Sequence, residues 1–193
     1  MITGEDIIWT TLILQTIKFP SGAIDMKIFL IGFMGSGKTH WGKILSQQTS
    51  LPYFDLDEVI VTSEKMSVQQ IFHDKGEEYF RIKEQEVLEA LAEDHDDVII
   101  STGGGTPCFF NNIDFMKQQG TVVWLNTSVN TLLERLLKQK NSRPLIKNIS
   151  DSELKSYIIK KLQDRKMYYE QAHVMLHEEG ITTESLLKSI AHA

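Results

Sequence analysis

Cysteine is almost absent from this sequence of 193 residues, which contains only Cys108. A single cysteine excludes an internal disulfide. This composition is typical of proteins in a reducing cytosol, so we expect a cytoplasmic location. Because an isolated cysteine usually behaves as a small hydrophobic residue, we expect Cys108 to be buried rather than reactive.

Positive charge is also limited. The chain has 20 lysines and arginines against 26 aspartates and glutamates, and its formal net charge is -6 at pH 7. It has no basic stripe of the kind that nucleic-acid-binding proteins carry, so we expect no nucleic-acid partner. Since a guanidinium forms planar, bidentate contacts with anions, the few arginines are candidate anion-binding residues: Arg81, Arg135, Arg143 and Arg165.

The sequence has no hydrophobic run of membrane-spanning length. The apolar stretch IIWTTLILQTI (7–17) is shorter than the roughly 20 residues that a spanning helix needs. Glu5 and Asp6 precede it, where a signal peptide would carry basic residues. We therefore expect no membrane partner. Our hypothesis is that the natural chain starts at Met26 and that residues 1–25 are a non-essential extension; the alternative is that they form a short docking helix.

Short hydrophobic runs of strand type alternate with helical patterns along the rest of the chain. Ser67 with Gln70, and Ser150 with Glu153, have the spacing of capping boxes that begin helices. This alternation predicts an α/β fold of three layers, with a central five-stranded parallel sheet covered on both faces, and one domain over residues 26–193. The predicted strands are KIFLIG (27–32), PYFDLD (52–57), VIIST (98–102), TVVWLN (121–126) and HVMLH (173–177), and the predicted helices cover about 38–48, 67–75, 77–94, 128–137, 150–171 and 183–191.

The first strand leads into GFMGSGKT (32–39), which has the pattern G-x-x-x-x-G-K-[ST] of a phosphate-binding loop. Its glycines let backbone N–H groups turn toward phosphate oxygens. Lys38 is expected to reach the β- and γ-phosphates, and the Thr39 hydroxyl to ligate Mg²⁺. Because a strand precedes the motif and a helix follows it, we favour nucleotide binding over the alternative, an ordinary strand-to-helix turn.

Two further motifs directly follow predicted strands. Asp55 and Asp57 alternate along the end of the second strand, and their side chains are expected to point to different faces or depths. One could hold Mg²⁺ through water and the other could accept a proton from an attacking hydroxyl; the alternative is that Asp57 caps the next helix. The run GGG (103–105) would allow close approach of a ligand or form a tight turn. We expect these motifs to converge on one crevice at the C-terminal ends of the strands.

The arginines add a second group of candidates. Arg143 lies in KQKNSRPLIKNIS (138–150), a polar, proline-interrupted segment that is a candidate mobile lid, and a lid arginine can neutralise charge during phosphoryl transfer. Arg81 and Arg165 would suit a carboxylate-bearing substrate, although each alone is also typical of a solvated surface charge. We expect Arg135 to pair with neighbours on its own helix.

Six stretches together resemble the shikimate kinase family, P-loop small-molecule kinases related to nucleoside monophosphate kinases. They are GFMGSGKT, FDLD, KGEEYFRIKE, STGGG, SRPLI and RKMYYEQA, in the family's order and close to its spacing, between about residues 27 and 172. The resemblance implies a P-loop kinase fold and ATP-dependent phosphorylation of the shikimate 3-hydroxyl. The products would be shikimate 3-phosphate and ADP, in the route to chorismate and the aromatic amino acids. It also implies a monomer.

The resemblance further implies how the acceptor is bound. Asp57 would hydrogen-bond the shikimate hydroxyls and act as the base. Glu84 would orient Arg81, which with Arg165 would clamp the shikimate carboxylate, and the substrate-binding helices would span about 57–95. The residues implied to bind shikimate are Asp57, Arg81, Gly104, Gly105 and Arg165.

The nucleotide side is implied in the same way. Mg²⁺ would be held by Thr39 and, through water, by Asp55. The residues implied to bind ATP are Gly35, Ser36, Gly37, Lys38, Thr39, His40 and Arg143, and those implied to be catalytic are Asp57, Lys38 and Arg143.

The sequence departs from the family pattern in two places, the early lid and the residue after Thr39. Lys138 and Lys140 lie where family members often carry another arginine early in the lid, and His40 stands where a second hydroxyl residue is common. A lysine does not stack on adenine as a guanidinium does, which affects nucleotide affinity or preference. Two alternative functions are another kinase of this fold, such as a gluconate or nucleoside monophosphate kinase, and a nucleotide-binding module without catalysis.

Overall fold

The computed structural model describes residues 26–140, 143, 145–178 and 180–193. The hypothesis about residues 1–25 lies outside the described residues, as do positions 141, 142 and 144 of the predicted lid.

Five parallel strands form the central sheet, in the order β2-β3-β1-β4-β5. Every residue of β1 and of β3 is buried, which explains why these strands read as continuous hydrophobic runs. The predicted five-stranded parallel sheet is therefore confirmed. The strands are β1 (Lys27–Ile31), β2 (Tyr53–Asp55), β3 (Val98–Ser101), β4 (Thr121–Asn126) and β5 (Val174–His177).

Eight α-helices lie in the described part of the chain, together with a 3₁₀ turn over Thr106–Cys108. Both predicted capping boxes are present, at Ser67 and at Ser150. The sequence analysis did not predict the helix α5, which is short and is followed by Gly120 as its C-cap. Its buried apolar face consists of Ile113 and Met116. The helices are α1 (Lys38–Thr49), α2 (Leu56–Glu64), α3 (Val68–Asp74), α4 (Gly76–Glu93), α5 (Asn112–Gln119), α6 (Val129–Gln139), α7 (Asp151–Tyr169) and α8 (Thr183–Ala191).

The two faces of the sheet support separate hydrophobic clusters. Alternate residues of β1 point to opposite faces, so Phe29 packs in one cluster with α4 and α7, whereas Leu30 packs in the other with α1 and α8. This arrangement makes the three layers of the predicted fold. A third cluster joins α6 to α7 and includes Ile146, which is fully buried although it lies in the predicted lid segment.

No helix in the described part of the chain combines the length and the apolar character that crossing a membrane requires.

Candidate active site

The phosphate-binding loop connects β1 to α1, as the sequence predicts. Gly35 and Gly37 have positive φ angles of 82° and 94°, a left-handed conformation that glycine adopts without strain. Lys38 folds back over the loop, and its Nζ donates hydrogen bonds to the carbonyl oxygens of Gly32 and Phe33 at 2.9 and 3.0 Å. Burial lowers the pKa of Lys38 to about 8, and the nearby carboxylates oppose this shift.

Thr39 and Asp55 bring a hydroxyl and a carboxylate together at the start of α1. The Thr39 Oγ1 donates to Asp55 Oδ2 at 2.9 Å, and the Tyr53 hydroxyl lies 3.4 Å from the same oxygen. Hard oxygen ligands of this kind suit Mg²⁺, which usually keeps several waters and takes phosphate oxygens as well. The described residues contain no cluster of three or more His, Cys, Asp or Glu side chains that could hold a metal alone. The donor set therefore fits Mg²⁺ bound together with a nucleotide.

The two aspartates of DLD occupy different elements. β2 ends at Asp55, which is the N-cap of α2: its Oδ1 accepts a hydrogen bond from the backbone N–H of Asp57 at 3.2 Å. Asp57 itself lies inside the first turn of α2. The expectation that both aspartates lie at the end of the strand is thus wrong, and so is the alternative that Asp57 caps the helix. The cap must precede the first turn, and the helix begins two residues earlier than that alternative requires.

The Asp57 carboxyl is buried among charged groups. Burial is the main cause that raises its pKa from 3.8 to about 6, and the negative charges of Glu84 and Asp55 raise it further. Lys38 and Arg81 act in the opposite direction. Asp57 is therefore ionised at neutral pH and has a pKa close enough to neutrality for a proton acceptor.

Arg81 is a buried side chain of α4 held by two glutamates. Its Nη1 donates to Glu84, and its Nε and Nη2 donate to Glu77 Oε1 at 3.2 and 2.9 Å. The expectation that Glu84 orients Arg81 is confirmed. Glu84 is almost fully buried, and that burial raises its pKa.

The GGG run lies against these side chains. A Cβ at Gly105 would be 3.0 Å from Arg81 Nη1, and one at Gly103 would be 2.3 Å from Glu84 Oε1. The carbonyl oxygen of Gly104 accepts hydrogen bonds from Arg165 Nη1, at 2.9 Å, and from the Tyr169 hydroxyl. The glycines are thus required because charged side chains pack directly on the backbone.

Two cavities adjoin at the C-terminal edge of the sheet. The first, of about 520 Å³, is lined by the phosphate-binding loop and by Asp55; the second, of about 770 Å³, is lined by α3, α4 and Arg165. The expected convergence of the strand-end motifs is therefore found. The residues that line both cavities are Met34, Asp57, Gly103, Gly104 and Arg143.

Arg143 borders both cavities from the predicted lid segment. Its Nε and Nη2 both donate to Gln139 Oε1, at 3.0 and 2.8 Å, which fixes the guanidinium against the end of α6. Burial lowers the pKa of Arg143, while the Asp57 carboxylate opposes that effect.

Arg135 is a cavity residue that the sequence analysis placed elsewhere. Its Nη1 donates to the carbonyl oxygen of Gly35 at 3.0 Å, and its Nη2 forms an ion pair with Glu178, just after β5. The expectation that it pairs along its own helix is wrong, because α6 packs beside the phosphate-binding loop. The sequence feature that could have indicated a role for Arg135 at the cavity was the scarcity of arginine in this chain.

The two lysines named as departures do not line either cavity. Lys140 instead forms an ion pair with Asp151 at the start of α7. His40 does line the first cavity, next to Trp41, a residue that the sequence analysis missed; their rings lie 5.3 Å apart, edge to face. The arginines that line the first cavity are thus Arg135 and Arg143.

Cys108 lies in the 3₁₀ turn and is half-buried, not fully buried as expected. Burial raises the pKa of its thiol to about 11, so it is present as the unreactive thiol at neutral pH.

Comparisons with known proteins agree on one family. The family model described as "Shikimate kinase" matches residues 34–193. The shikimate kinase of Azobacteroides pseudotrichonymphae genomovar. CFP2 is 40% identical over 164 residues, which cover 85% of this chain and 96% of that relative.

Solved structures give the same result. The crystal structure of the shikimate kinase from Bacteroides thetaiotaomicron has a TM-score of 0.77 and 36% identity, covering 86% of this chain and 94% of that chain. The shikimate kinase from Acinetobacter baumannii, solved in complex with shikimate, has a TM-score of 0.75 and 31% identity, covering 86% and 90%.

Proposed function

Because the chain belongs to the shikimate kinase family, we propose that it transfers the γ-phosphoryl group of ATP to the 3-hydroxyl of shikimate, giving shikimate 3-phosphate and ADP. One observation carries this proposal: the phosphate-binding cavity adjoins, at Asp57, a second cavity that Arg81 and Arg165 line from α4 and α7. A carboxylate-bearing acceptor in the second cavity would present a hydroxyl to a phosphate in the first.

The nucleotide binds in the first cavity. Backbone N–H groups of the loop hold its phosphates, and Lys38 and Arg143 neutralise charge on the transferred group. The nucleotide-binding set in this proposal is Gly35, Ser36, Gly37, Lys38, Thr39, His40 and Arg143. Thr39 and, through water, Asp55 would hold Mg²⁺, which would supply positive charge that stabilises the phosphates during transfer.

Shikimate binds in the second cavity. Its carboxylate is clamped by Arg81 and Arg165, since arginine forms paired hydrogen bonds with both carboxylate oxygens. Gly104 and Gly105 contact the ring substituents, as they offer backbone without side chains. The hydroxyls lie toward Asp57, at the junction with the nucleotide.

The reaction is a direct transfer. Asp57 accepts the proton of the 3-hydroxyl while that oxygen bonds to the γ-phosphorus, and the bond from the γ-phosphorus to the bridging β–γ oxygen breaks. The electron pair of the broken bond stays on ADP. An ionised Asp57 at neutral pH supports this role.

The same proposal assigns the regions of the chain. Residues 26–193 form a single kinase domain that acts as a monomer in the cytoplasm, with substrate-binding helices over about 57–95. Residues 138–150 act as a lid that excludes water from the γ-phosphate. Residues 1–25 are not needed for activity, so a chain that starts at Met26 should keep full turnover and stability; a loss of either would contradict that assignment.

The test of the function is ADP release with Mg-ATP and shikimate, gluconate or no acceptor. ADP formed only with shikimate would support the proposal, and the position of the phosphate in the product, read by ³¹P–¹H correlation, would test the 3-hydroxyl. ADP formed with gluconate instead would favour another kinase of this fold. ATP binding without ADP formation across acceptors would favour a nucleotide-binding module.

A further inference from the structure

The segment TPCFF, residues 106–110, directly follows the GGG run, and the proposed reaction gives it no role. It begins with the 3₁₀ turn Thr106–Cys108, in which Pro107 occupies an early position. The backbone N–H of Thr106 donates to Gly103 O at 3.2 Å, and Asn112 Nδ2 donates to Thr106 O at 3.0 Å. Thr106 is thus held from both sides, with its side chain toward α4.

The Thr106 hydroxyl completes the surroundings of Glu84. Its Oγ1 donates to Glu84 Oε1 at 2.6 Å, while the other carboxylate oxygen, Oε2, accepts from Arg81. Thr106 is 0% and Glu84 1% exposed, so water does not replace either bond. A buried carboxylate is costly unless each oxygen is paired, and a hydroxyl that donates to a carboxylate is among the stronger hydrogen bonds.

Phe109 supports the arginine from another side. The guanidinium carbon of Arg81 lies 4.6 Å from the centroid of the Phe109 ring, closer than to the rings of Phe72 and Phe80, at 5.7 and 5.4 Å. A cation held over an aromatic face is attracted by the ring, most strongly where water is excluded. One short segment therefore contacts both members of the Arg81–Glu84 pair.

We propose that Thr106 and Phe109 are positioning residues for the acceptor: together they hold the Arg81–Glu84 pair in the orientation that presents the Arg81 guanidinium to the substrate carboxylate. This inference rests on the proposed function for the identity of the ligand. Its physical basis is that a binding side chain keeps its geometry only when its own partners are held in place. Neither residue is required to touch the substrate.

The first experiment needs no ligand. The chain has only four arginines, so the side-chain Nε–Hε signals of ¹⁵N-labelled protein are few, and the Arg81 signal is assigned by its loss in Arg81→Lys. We expect a restrained, dispersed Arg81 signal in the unaltered protein. In Thr106→Val and in Phe109→Leu it should move toward the position of a mobile arginine. Thr106→Ser, which keeps the hydroxyl, should restore it.

The second experiment measures shikimate and ATP separately. Thr106→Val should raise the KM for shikimate about tenfold, a part of the loss expected when a hydrogen bond to a charged group is removed. Phe109→Leu should raise it about threefold, in line with the weaker ring contact. The KM for ATP and kcat should stay within about twofold in both, because Arg81 contributes binding rather than chemistry. Thr106→Ser should return the KM for shikimate toward the original value.

The neighbouring aromatic provides a matched control. Phe110 is also exposed on this segment, and its ring lies 6.5 Å from that of Phe109. The rings described around the Arg81 guanidinium are those of Phe72, Phe80 and Phe109, so Phe110→Leu should change neither the Arg81 signal nor either KM. An Arg81 signal and a KM for shikimate that are unchanged in both Thr106→Val and Phe109→Leu, with normal folding, would overturn the inference. If the unaltered protein does not use shikimate, the proposed function fails, and the Arg81 signal alone still decides whether these residues position the arginine.

Discussion

The two cavities are built in different ways. The cavity proposed for the nucleotide, the nucleotide side, has one continuous stretch in its lining, the loop 32–39, whose backbone N–H groups are proposed to bind the phosphates. The acceptor side is built from side chains of separate elements, with Arg81 on α4 and Arg165 on α7 both packed on the GGG backbone. A backbone site of this kind fixes the class of its ligand, because its N–H groups recognise phosphate oxygens. A side-chain site carries the specificity and depends on each of its residues.

The sharpest test of the junction between the two sides is Asp57→Asn. The amide cannot accept the proton, so kcat should fall by about 10²–10⁴-fold, the usual contribution of a general base. Affinities for both substrates should change much less, as measured by titration calorimetry with ATP and with shikimate. A kcat within tenfold of the unaltered protein would exclude Asp57 as the base.

Shikimate binding on the acceptor side should weaken strongly when a single arginine side chain is removed. Arg165→Ala should weaken shikimate binding about 30-fold or more, since losing one partner of a desolvated charge pair costs about 2–5 kcal/mol. ATP binding should stay within about threefold. Lys166→Ala, at the exposed neighbouring position, is the control and should leave the KM for shikimate unchanged. Equal losses for ATP and shikimate would show that Arg165 does not distinguish the two sides.

The two sides should respond to pH in opposite directions: catalysis with shikimate should weaken at low pH, and ATP binding should weaken at high pH. The base must be ionised, so kcat/KM for shikimate should fall about tenfold per pH unit below about 6, the pKa of Asp57. Lys38 must be protonated, and its pKa is lowered to about 8 in the free protein, so ATP affinity should fall above that pH. Rates and ATP binding between pH 5 and 9 test both limbs. An acidic limb that persists unchanged in Asp57→Asn would contradict its assignment.

The Asp57 carboxylate should also cost stability. Its pKa is raised from 3.8 to about 6, so the ionised form is unfavourable in the fold by about 3 kcal/mol. That cost is absent below about pH 4, where the group is protonated in both states, and is complete above about pH 6. Asp57→Asn should therefore raise the free energy of unfolding by about 1–3 kcal/mol at pH 8 and by little at pH 4. Urea unfolding at both pH values measures this; an equal gain at both would exclude ionisation as the cause.

The features that could be predicted from the sequence are those that depend on neighbouring residues, as the loop on the nucleotide side does. The loop 32–39, the five strands and the capping boxes depend on neighbours in the sequence, and they were predicted from it. The N-cap role of Asp55 was not predicted. Aspartate is a common N-cap residue, so both aspartates were candidates, and only the position at which β2 ends decides between them. The contacts of Arg135 and Thr106 were missed since each joins distant parts of the chain: Arg135 reaches Gly35, and Thr106 reaches Glu84.

The smallest effect concerns a partly exposed side chain that contacts the backbone of the loop 32–39. Arg135 holds the Gly35 carbonyl and the Glu178 carboxylate, but its side chain is 40% exposed, so water can replace much of what is lost. Arg135→Ala should raise the KM for ATP only about three- to tenfold and leave the KM for shikimate unchanged. Glu134→Ala, at the exposed position next to Arg135 on α6, is the control and should change neither constant. A larger loss of ATP affinity in Arg135→Ala than the loss of shikimate affinity in Arg165→Ala would mean that the nucleotide side, too, depends on individual side chains, and the comparison between the two sides would no longer hold.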